Sequence, residues 1–79
     1  MRTKLIEAFP DGVFLLADGF DDAILGVHED SMRVIYSVSK CIHILEQRGM
    51  TTEEAEEHFL FNTYNAYVGE KTPIWCTDF

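Results

Sequence analysis

The sequence predicts a single α+β domain over residues 1–79, in which a small antiparallel sheet of three or four strands packs against a two-helix hairpin. A chain of 79 residues buries enough surface for one hydrophobic core and too little for two. Short apolar runs bounded by turn residues fill its first half, whereas helical spacing of apolar residues marks much of its second half. This order predicts strands first and helices afterwards.

Three segments in the first half have the length and composition of strands. Residues 13–17 form an apolar run between two turns, and we predict the first strand there. Residues 23–27 and 32–36 flank a polar hairpin loop and are predicted to be the second and third strands. Strands that follow one another so closely favour an antiparallel meander. Residues 1–9 are compatible both with a short helix and with an extended arm laid on the core.

The next segment is predicted to be an amphipathic helix. Ser37 is placed to cap its N-terminus, and Gly49 is placed to adopt the left-handed conformation beyond its C-terminus. Four apolar residues recur at i, i+3, i+4 and i+7 and therefore share one helical face: Val38, Cys41, Ile42 and Leu45.

A second helix is predicted to begin at Thr51, because Thr51 and Glu54 have the spacing of a capping box. We expect this helix to continue to about Val68 and to end at Gly69. The short connection between the two helices requires them to pack as a close antiparallel or strongly angled pair. Residues 74–76 are predicted to add a final short strand or an extended tail on the sheet.

The balance of charges narrows the range of functions. Fourteen acidic and six basic side chains give a formal net charge of −8. Such a field repels a phosphate backbone, so direct binding of nucleic acid is not expected. No apolar run approaches the roughly 18–20 residues of a membrane span, and no leader pattern is present at the N-terminus. We therefore expect a soluble, cytoplasmic protein.

The sequence contains no recognisable catalytic, metal or cofactor motif. His28, His43 and His58 lack the spacing that places two ligands on one helical face. Cys41 and His43 point in different directions on a helix, so they do not form a nucleophile and base pair. The acids of residues 18–22 do not follow the spacing of a calcium-binding loop. We predict a protein that is not an enzyme and that needs no metal or cofactor.

The two cysteines, Cys41 and Cys76, are too few for a disulfide framework and too far apart for a redox pair. Both are expected to be reduced thiols that pack as small apolar side chains. A single bridge between them is the alternative.

Two intervals without lysine or arginine carry most of the negative charge. The first lies between Lys4 and Arg33, and the second lies between Arg48 and Lys71. An electronegative surface of this kind favours docking on a basic protein, with electrostatically steered association. The alternative is that these acids only solubilise the fold and cap its helices. The candidate binding residues of the first interval are Asp18, Asp21, Asp22, Glu29 and Asp30.

The second half of the second helix is apolar on nearly all sides. Phe59 and Phe61 are available for the core, which leaves a stripe of three further residues without a partner. We predict that this stripe forms a homodimer or contacts a protein partner, and the alternative is that residues 73–79 cover it. The stripe consists of Leu60, Tyr64 and Tyr67.

Two asparagines interrupt the same helix, although their amides compete with backbone hydrogen bonds. If Asn62 and Asn65 are buried, each needs a hydrogen-bonding partner. We expect these partners among the backbone groups of residues 18–22 or residues 69–72.

Several blocks of the chain resemble a group of small acidic proteins of bacteriophages and prophages whose activity is uncharacterised. The resemblance covers residues 18–75, and residues 13–17 and the last four residues do not take part in it. Its most specific blocks are residues 18–27 (DGFDDAILGV), residues 40–42 (KCI), residues 49–51 (GMT) with Glu53, Glu54 and Ala55, Phe61 with Asn62, and residues 66–74 (AYVGEKTPI). The resemblance implies an accessory factor that binds and blocks host machinery, as anti-CRISPR and other anti-defence inhibitors do.

Charge and resemblance together predict a non-enzymatic accessory protein that binds a basic protein, such as one that handles nucleic acid or acts in defence. The alternative function is a small-ligand-binding module or nucleotide sponge. In that case residues 20–22 and residues 69–72 would line its pocket.

Overall fold

The computed structural model describes residues 2–10, 12, 14–17, 19–64 and 69–78. Its elements follow one another in the order α1 (Arg2–Ala8), a 3₁₀ turn (Asp21–Ala23), β1 (Ile24–His28), β2 (Arg33–Ser37), α2 (Val38–Gln47), α3 (Thr52–Phe59), a π-helical turn (Leu60–Tyr64) and β3 (Ile74–Cys76). Both predicted helices and the short last strand are present, and the α+β class is confirmed. The N-terminal segment is a helix rather than an extended arm.

The three strands among the described residues form one sheet in the order β1-β2-β3. β1 and β2 are antiparallel, and their bounds are shifted by one residue from the predicted strands. β3 pairs with β2 in parallel, with Ile35 opposite Ile74 and Ser37 opposite Cys76. The sheet is therefore mixed and not wholly antiparallel as predicted. The physical reason is that two helices connect β2 to β3, and a long crossover brings the chain back to the same end of the sheet.

The strand predicted at residues 13–17 is not formed. Residues 14–17 have no regular secondary structure, and Val13 lies outside the described residues. Phe14, Leu16 and Ala17 pack on the core without a neighbouring strand. The backbone N–H of Ala17 donates instead to the Tyr36 hydroxyl at 2.8 Å. An apolar run thus contributes to the core as an irregular segment, because a side chain supplies the hydrogen bond that a ladder would supply.

The caps of the two main helices agree with the sequence prediction. The Ser37 hydroxyl accepts from the Lys40 backbone N–H at 3.1 Å at the start of α2. Gly49 has a φ of 100° beyond its end, a conformation that glycine adopts at little cost. Thr51 and Glu54 form the predicted capping box of α3, with both reciprocal hydrogen bonds present.

The second predicted helix changes character after Phe59. A π-helical turn begins at Leu60, and residues 65–68, the predicted end of the helix, lie outside the described residues. The Asn62 side-chain amide donates to the His58 carbonyl at 3.1 Å. In an α-helix that carbonyl would accept from the backbone N–H of Asn62, so the side chain competes for the α-helical acceptor.

This contact also corrects the prediction for the asparagines. Asn62 is exposed and bonds to His58 within its own helix, not to residues 18–22 or 69–72. Asn65 lies outside the described residues.

The core lies where α1, the 3₁₀ turn, the sheet and the two main helices meet. Phe59 enters it with 3% of its side chain exposed, but Phe61 remains 69% exposed, so the prediction that both are core residues is wrong for Phe61. The buried apolar residues are Leu5, Phe20, Ala23, Ile24, Val34, Tyr36, Cys41, Leu45, Ala55 and Phe59.

Cys41 and Cys76 are free thiols, as expected. Within the described ranges, no helix combines the length and the hydropathy needed to span a bilayer.

Candidate functional site

A groove of about 540 Å³ lies between α2, the α3 and π-turn segment, and the C-terminal tail. We refer to it as the α2–α3 groove. Its polar lining is formed by Ser39, Glu56, Thr77 and Asp78. Its apolar lining is formed by Val38, Ile42, Phe59, Leu60 and Tyr64.

Two members of the predicted apolar stripe line this groove. Leu60 is 44% exposed and Tyr64 is 45% exposed. The third member, Tyr67, lies outside the described residues. Thr77 and Asp78 of the tail form one wall of the groove, and the two stripe residues remain substantially exposed beside them. The alternative in which the tail covers the stripe therefore does not hold for Leu60 and Tyr64.

The π turn affects how these side chains line up. Residues four apart on an α-helix drift gradually around its axis. A π turn, whose hydrogen bonds span five residues, is wider and rotates less per residue, so it opposes this drift. Glu56, Leu60 and Tyr64 consequently lie along the same groove wall. The row presents one carboxylate followed by two apolar side chains.

Asp78 fastens the tail to the N-terminus of α2. Its carboxylate accepts from the Ser37 hydroxyl at 2.7 and 2.8 Å and from the Ser39 hydroxyl at 3.0 Å. The backbone N–H of Ser39 also donates to it, at 3.3 Å. A carboxylate at this position is favourable because the first N–H groups of a helix lack internal partners. We call this set of contacts the tail latch.

The pKa of Asp78 lies below its usual value, chiefly because the Ser37 hydroxyl stabilises the carboxylate and also because Ser39 donates to it. A lowered folded-state pKa stabilises the fold above the unfolded pKa, about 3.9 for aspartate, and this contribution disappears as the pH falls through the lowered value. We expect Asp78→Asn to unfold at a lower temperature than the wild type at neutral pH. The difference should shrink below about pH 4. Thermal unfolding across a pH series measures it, and a constant difference down to strong acid would contradict the latch.

The predicted acidic residues do not form one cluster. Asp21 and Asp22 lie in the 3₁₀ turn before β1, whereas Glu29 and Asp30 lie in the turn after it. The five residues of β1 separate the two pairs by about 17 Å of extended chain. Asp18 lies outside the described residues. The 3₁₀ turn is at the end of the sheet where α2 begins, and the hairpin turn is at the opposite end.

Basic side chains are held at the hairpin end and beside the 3₁₀ turn. Lys71 donates to the Ser31 carbonyl at 2.8 Å, and Arg33 donates to the Thr72 carbonyl at 2.6 Å. Arg48 donates to the Gly19 carbonyl at 3.0 Å and lies over the Phe20 ring. None of the nine residues that line the α2–α3 groove is basic. The charged side chains in the groove lining are thus the two carboxylates of Glu56 and Asp78.

These same contacts bear on the alternative of a ligand pocket formed by two loops. Gly19 and Phe20 are tied to Arg48 at the end of α2. Residues 71–72 are tied to the β1–β2 hairpin at the other end of the sheet. The two loops that would have to line one pocket are thus each held by contacts with a different part of the molecule.

The buried nucleophiles do not have the properties of a reaction centre. Burial raises the pKa of the Cys41 thiol to about 12, with a further rise from the nearby Asp78 charge. A thiol with this pKa is almost entirely protonated at neutral pH and is a poor nucleophile. The Ser37 hydroxyl is bonded to Asp78 and to the α2 backbone. Among the described residues, no group of three or more histidine, cysteine and acidic side chains is arranged to hold a metal ion.

The sequence prediction missed half of the groove. Val38 and Ile42 were predicted to share one helical face with Cys41 and Leu45, but the groove they line was not predicted. Their spacing of i, i+4 matches that of Leu60 and Tyr64, and this repeated spacing was the available signal. No local pattern indicated that Asp78, far along the chain, would reach the N-terminus of α2.

The groove thus combines apolar side chains with two carboxylates in one lining, which is the chemistry of a binding surface. Comparisons of the chain with protein-family models, with curated proteins and with solved structures return no match. We therefore infer its function from its own geometry and charge.

Proposed function

We propose that the protein is a non-enzymatic accessory factor that binds a basic protein in the cytoplasm and occludes the surface it covers. This role agrees with the one implied by the resemblance to small acidic bacteriophage proteins, namely a factor that binds and blocks host machinery. The observation that carries the proposal is the α2–α3 groove, in which exposed apolar side chains lie beside Glu56 and Asp78 without a basic neighbour in the lining.

Charge and apolar area serve different steps of such binding. A net charge of −8 attracts a basic partner over a distance and raises the association rate, an effect that salt screens. Exposed apolar groups such as Leu60 and Tyr64 then lose contact with water when the partner closes on the groove. Occlusion of a partner needs only this complementarity. It requires no reacting group on the protein.

The proposal is tested by affinity capture from a bacterial lysate over a salt series, with native mass spectrometry of the captured material. Two charge-matched variants sharpen the test. One replaces Glu56 and Glu57 of α3 with glutamine, and the other replaces Glu29 with glutamine and Asp30 with asparagine at the distant hairpin turn. Each variant changes the net charge by two units, so any difference between them reports position and not total charge.

We expect the wild type to capture a basic protein in a salt-sensitive manner, and we expect the α3 variant to associate about tenfold more slowly at low salt, within the range of electrostatic steering. The hairpin variant should have a smaller effect. A captured small molecule without a protein partner would favour the ligand-binding alternative and sink the proposal. Equal slowing by both variants would show that only total charge matters.

A further inference from the structure

The α2–α3 groove is formed by side chains of two neighbouring helices. Val38 and Ile42 contribute from α2, and Leu60 and Tyr64 contribute from the π turn, each pair at i, i+4 spacing. Helical backbone groups are bonded within their own helix. The two helical walls, as distinct from the tail wall of Thr77 and Asp78, therefore offer no row of free N–H and C=O groups with which an extended peptide could pair, as it would pair with a sheet edge. Their complement is another set of side chains at helical spacing.

The dimensions of the groove limit the length of that complement. The wall from Glu56 to Tyr64 covers nine residues, about 12 Å at the usual helical rise. A partner helix of about two to three turns matches this length. Such a helix would place side chains at i, i+3, i+4 and i+7 against the apolar side chains of the lining.

The charge of the groove lining determines the charge of the partner. Glu56 stands on one wall and Asp78 on the tail, and the lining contains no lysine or arginine. Residues at the flanks of an apolar helical face would come close to these carboxylates. Basic residues at the flanks would form ion pairs there, whereas acidic residues would be repelled.

The same charges disfavour a second copy of the chain in the groove. The helix that a second copy would present is α3, which contains four glutamates and no lysine or arginine. Of these four, Glu56 lines the groove, so the Glu56 side chain of a second copy would meet carboxylates of the same sign. Like charges placed together in an interface are unfavourable, and they oppose the homodimer predicted from the stripe.

We propose that the α2–α3 groove binds a short, basic, amphipathic helix of the partner protein, with its apolar face on Val38, Ile42, Leu60 and Tyr64. This inference rests on the proposed function and specifies the part of the partner that is recognised. The proposal assigns different roles to two neighbouring exposed residues. Leu60 lines the groove. Phe61 is more exposed and lines a different cavity of about 330 Å³ with His58 and Asn62.

The test uses three synthetic peptides labelled with a fluorophore and titrated by anisotropy. The first contains leucine and lysine arranged so that the leucines share one helical face. The second has the same composition with leucine and lysine alternating, which removes that face. The third has the first arrangement with glutamate in place of lysine. We expect the first peptide to bind at least about tenfold more tightly than either control, a difference of about 1.4 kcal/mol.

A matched pair of protein variants locates the binding. Leu60→Lys and Phe61→Lys add the same charge at adjacent positions of the π turn. We expect Leu60→Lys to weaken binding of the helical peptide by at least about tenfold, or about 1.4 kcal/mol, and Phe61→Lys to change it by less than about threefold. Circular dichroism and thermal unfolding check that both variants fold. Sedimentation of the wild type and of Leu60→Lys reports the oligomeric state.

Each contrary outcome removes a defined part of the inference. Equal binding of the alternating peptide would overturn the helical occupant, and equal weakening by the two variants would overturn the groove. A wild-type dimer that Leu60→Lys dissociates would assign the groove to a second copy. A basic protein captured equally well by the wild type and by Leu60→Lys would retain the proposed function and reject this groove as its site. The reverse result, peptide binding through Leu60 without capture of any protein, would retain the groove and reject the proposed function.

Discussion

Replacing Phe59 with alanine is expected to lower the free energy of unfolding by about 3–5 kcal/mol, the usual cost of truncating a buried phenylalanine. Phe59 is 3% exposed, and its ring centroid lies 5.3 Å from that of Trp75 and 6.4 Å from that of Phe20. It therefore joins α3 to β3 and to the segment before the 3₁₀ turn. Truncation leaves a cavity that these three elements cannot close without separating from one another. Chemical denaturation measures the loss.

Phe61→Ala is the matched control for this prediction. Phe61 lies two residues further along the chain and is 69% exposed. Its truncation should change the free energy of unfolding by less than about 0.5 kcal/mol, as at most exposed positions. The sequence alone assigned both rings to the core, so equal losses in the two variants would support the sequence prediction against the structure.

Replacing Ser37 with alanine is expected to lower the free energy of unfolding by about 2 kcal/mol, the upper end of the cost of losing a helix N-cap. Ser37 is fully buried. Its hydroxyl accepts from the Lys40 N–H at 3.1 Å and donates to Asp78 at 2.7 and 2.8 Å. Alanine leaves the Lys40 N–H without its acceptor in a partly buried position and releases one side of the tail latch. Denaturant unfolding of the variant measures the change.

Ser39→Ala provides the comparison for Ser37→Ala. Ser39 is exposed, and its hydroxyl reaches the same carboxylate at 3.0 Å. Its backbone N–H still donates to Asp78 after the substitution. We expect a loss below about 1 kcal/mol, typical of a single hydrogen bond open to water. A larger loss for Ser39→Ala than for Ser37→Ala would mean that the tail, and not the cap, dominates the role of this cluster.

Local patterns predicted both ends of α2 and the start of α3 well, because a cap depends on residues within one turn. Ser37, Gly49, and the box of Thr51 and Glu54 each satisfy helix-terminal groups by contacts that sequence spacing already defines. These signals were sufficient for the two main helices and for their order. They carried no information about whether β3 pairs with β2 in parallel or antiparallel orientation.

The errors occurred where long-range contacts or a competing hydrogen bond decided the structure. Residues 14–17 have strand composition but no neighbouring strand, and Tyr36 takes the place of a ladder partner for Ala17. The regular α-helix stops at Phe59, followed by the π turn in which Asn62 donates to the His58 carbonyl. Composition indicated that residues 14–17 are buried and that residues 60–64 are helical. It did not indicate the backbone geometry of either segment.

The candidate site was only half predictable for a related reason. Leu60 and Tyr64 were identified from their spacing, and both line the groove. The opposite wall depends on the packing of α2, and the end wall depends on a carboxylate 41 residues from its partner Ser37. Asp21 and Asp22 were grouped in sequence with Glu29 and Asp30, yet β1 places the two pairs at opposite ends of the sheet. Charge density along a chain does not specify charge density on a surface.

The parallel pairing of β3 also has a consequence for the order in which the molecule folds. The β1–β2 hairpin closes across four residues, whereas Ile35 and Ile74 must meet across 39 positions of chain. Loop-closure entropy rises with separation, so we expect the hairpin and the helix pair to form first and β3 to dock last. With only three residues, β3 should also be the first element to open, which amide hydrogen exchange would show as faster exchange at residues 74–76 than at residues 34–36. Because the tail follows β3 directly, the groove would assemble in the last step and open by a local fluctuation that leaves the helix pair folded.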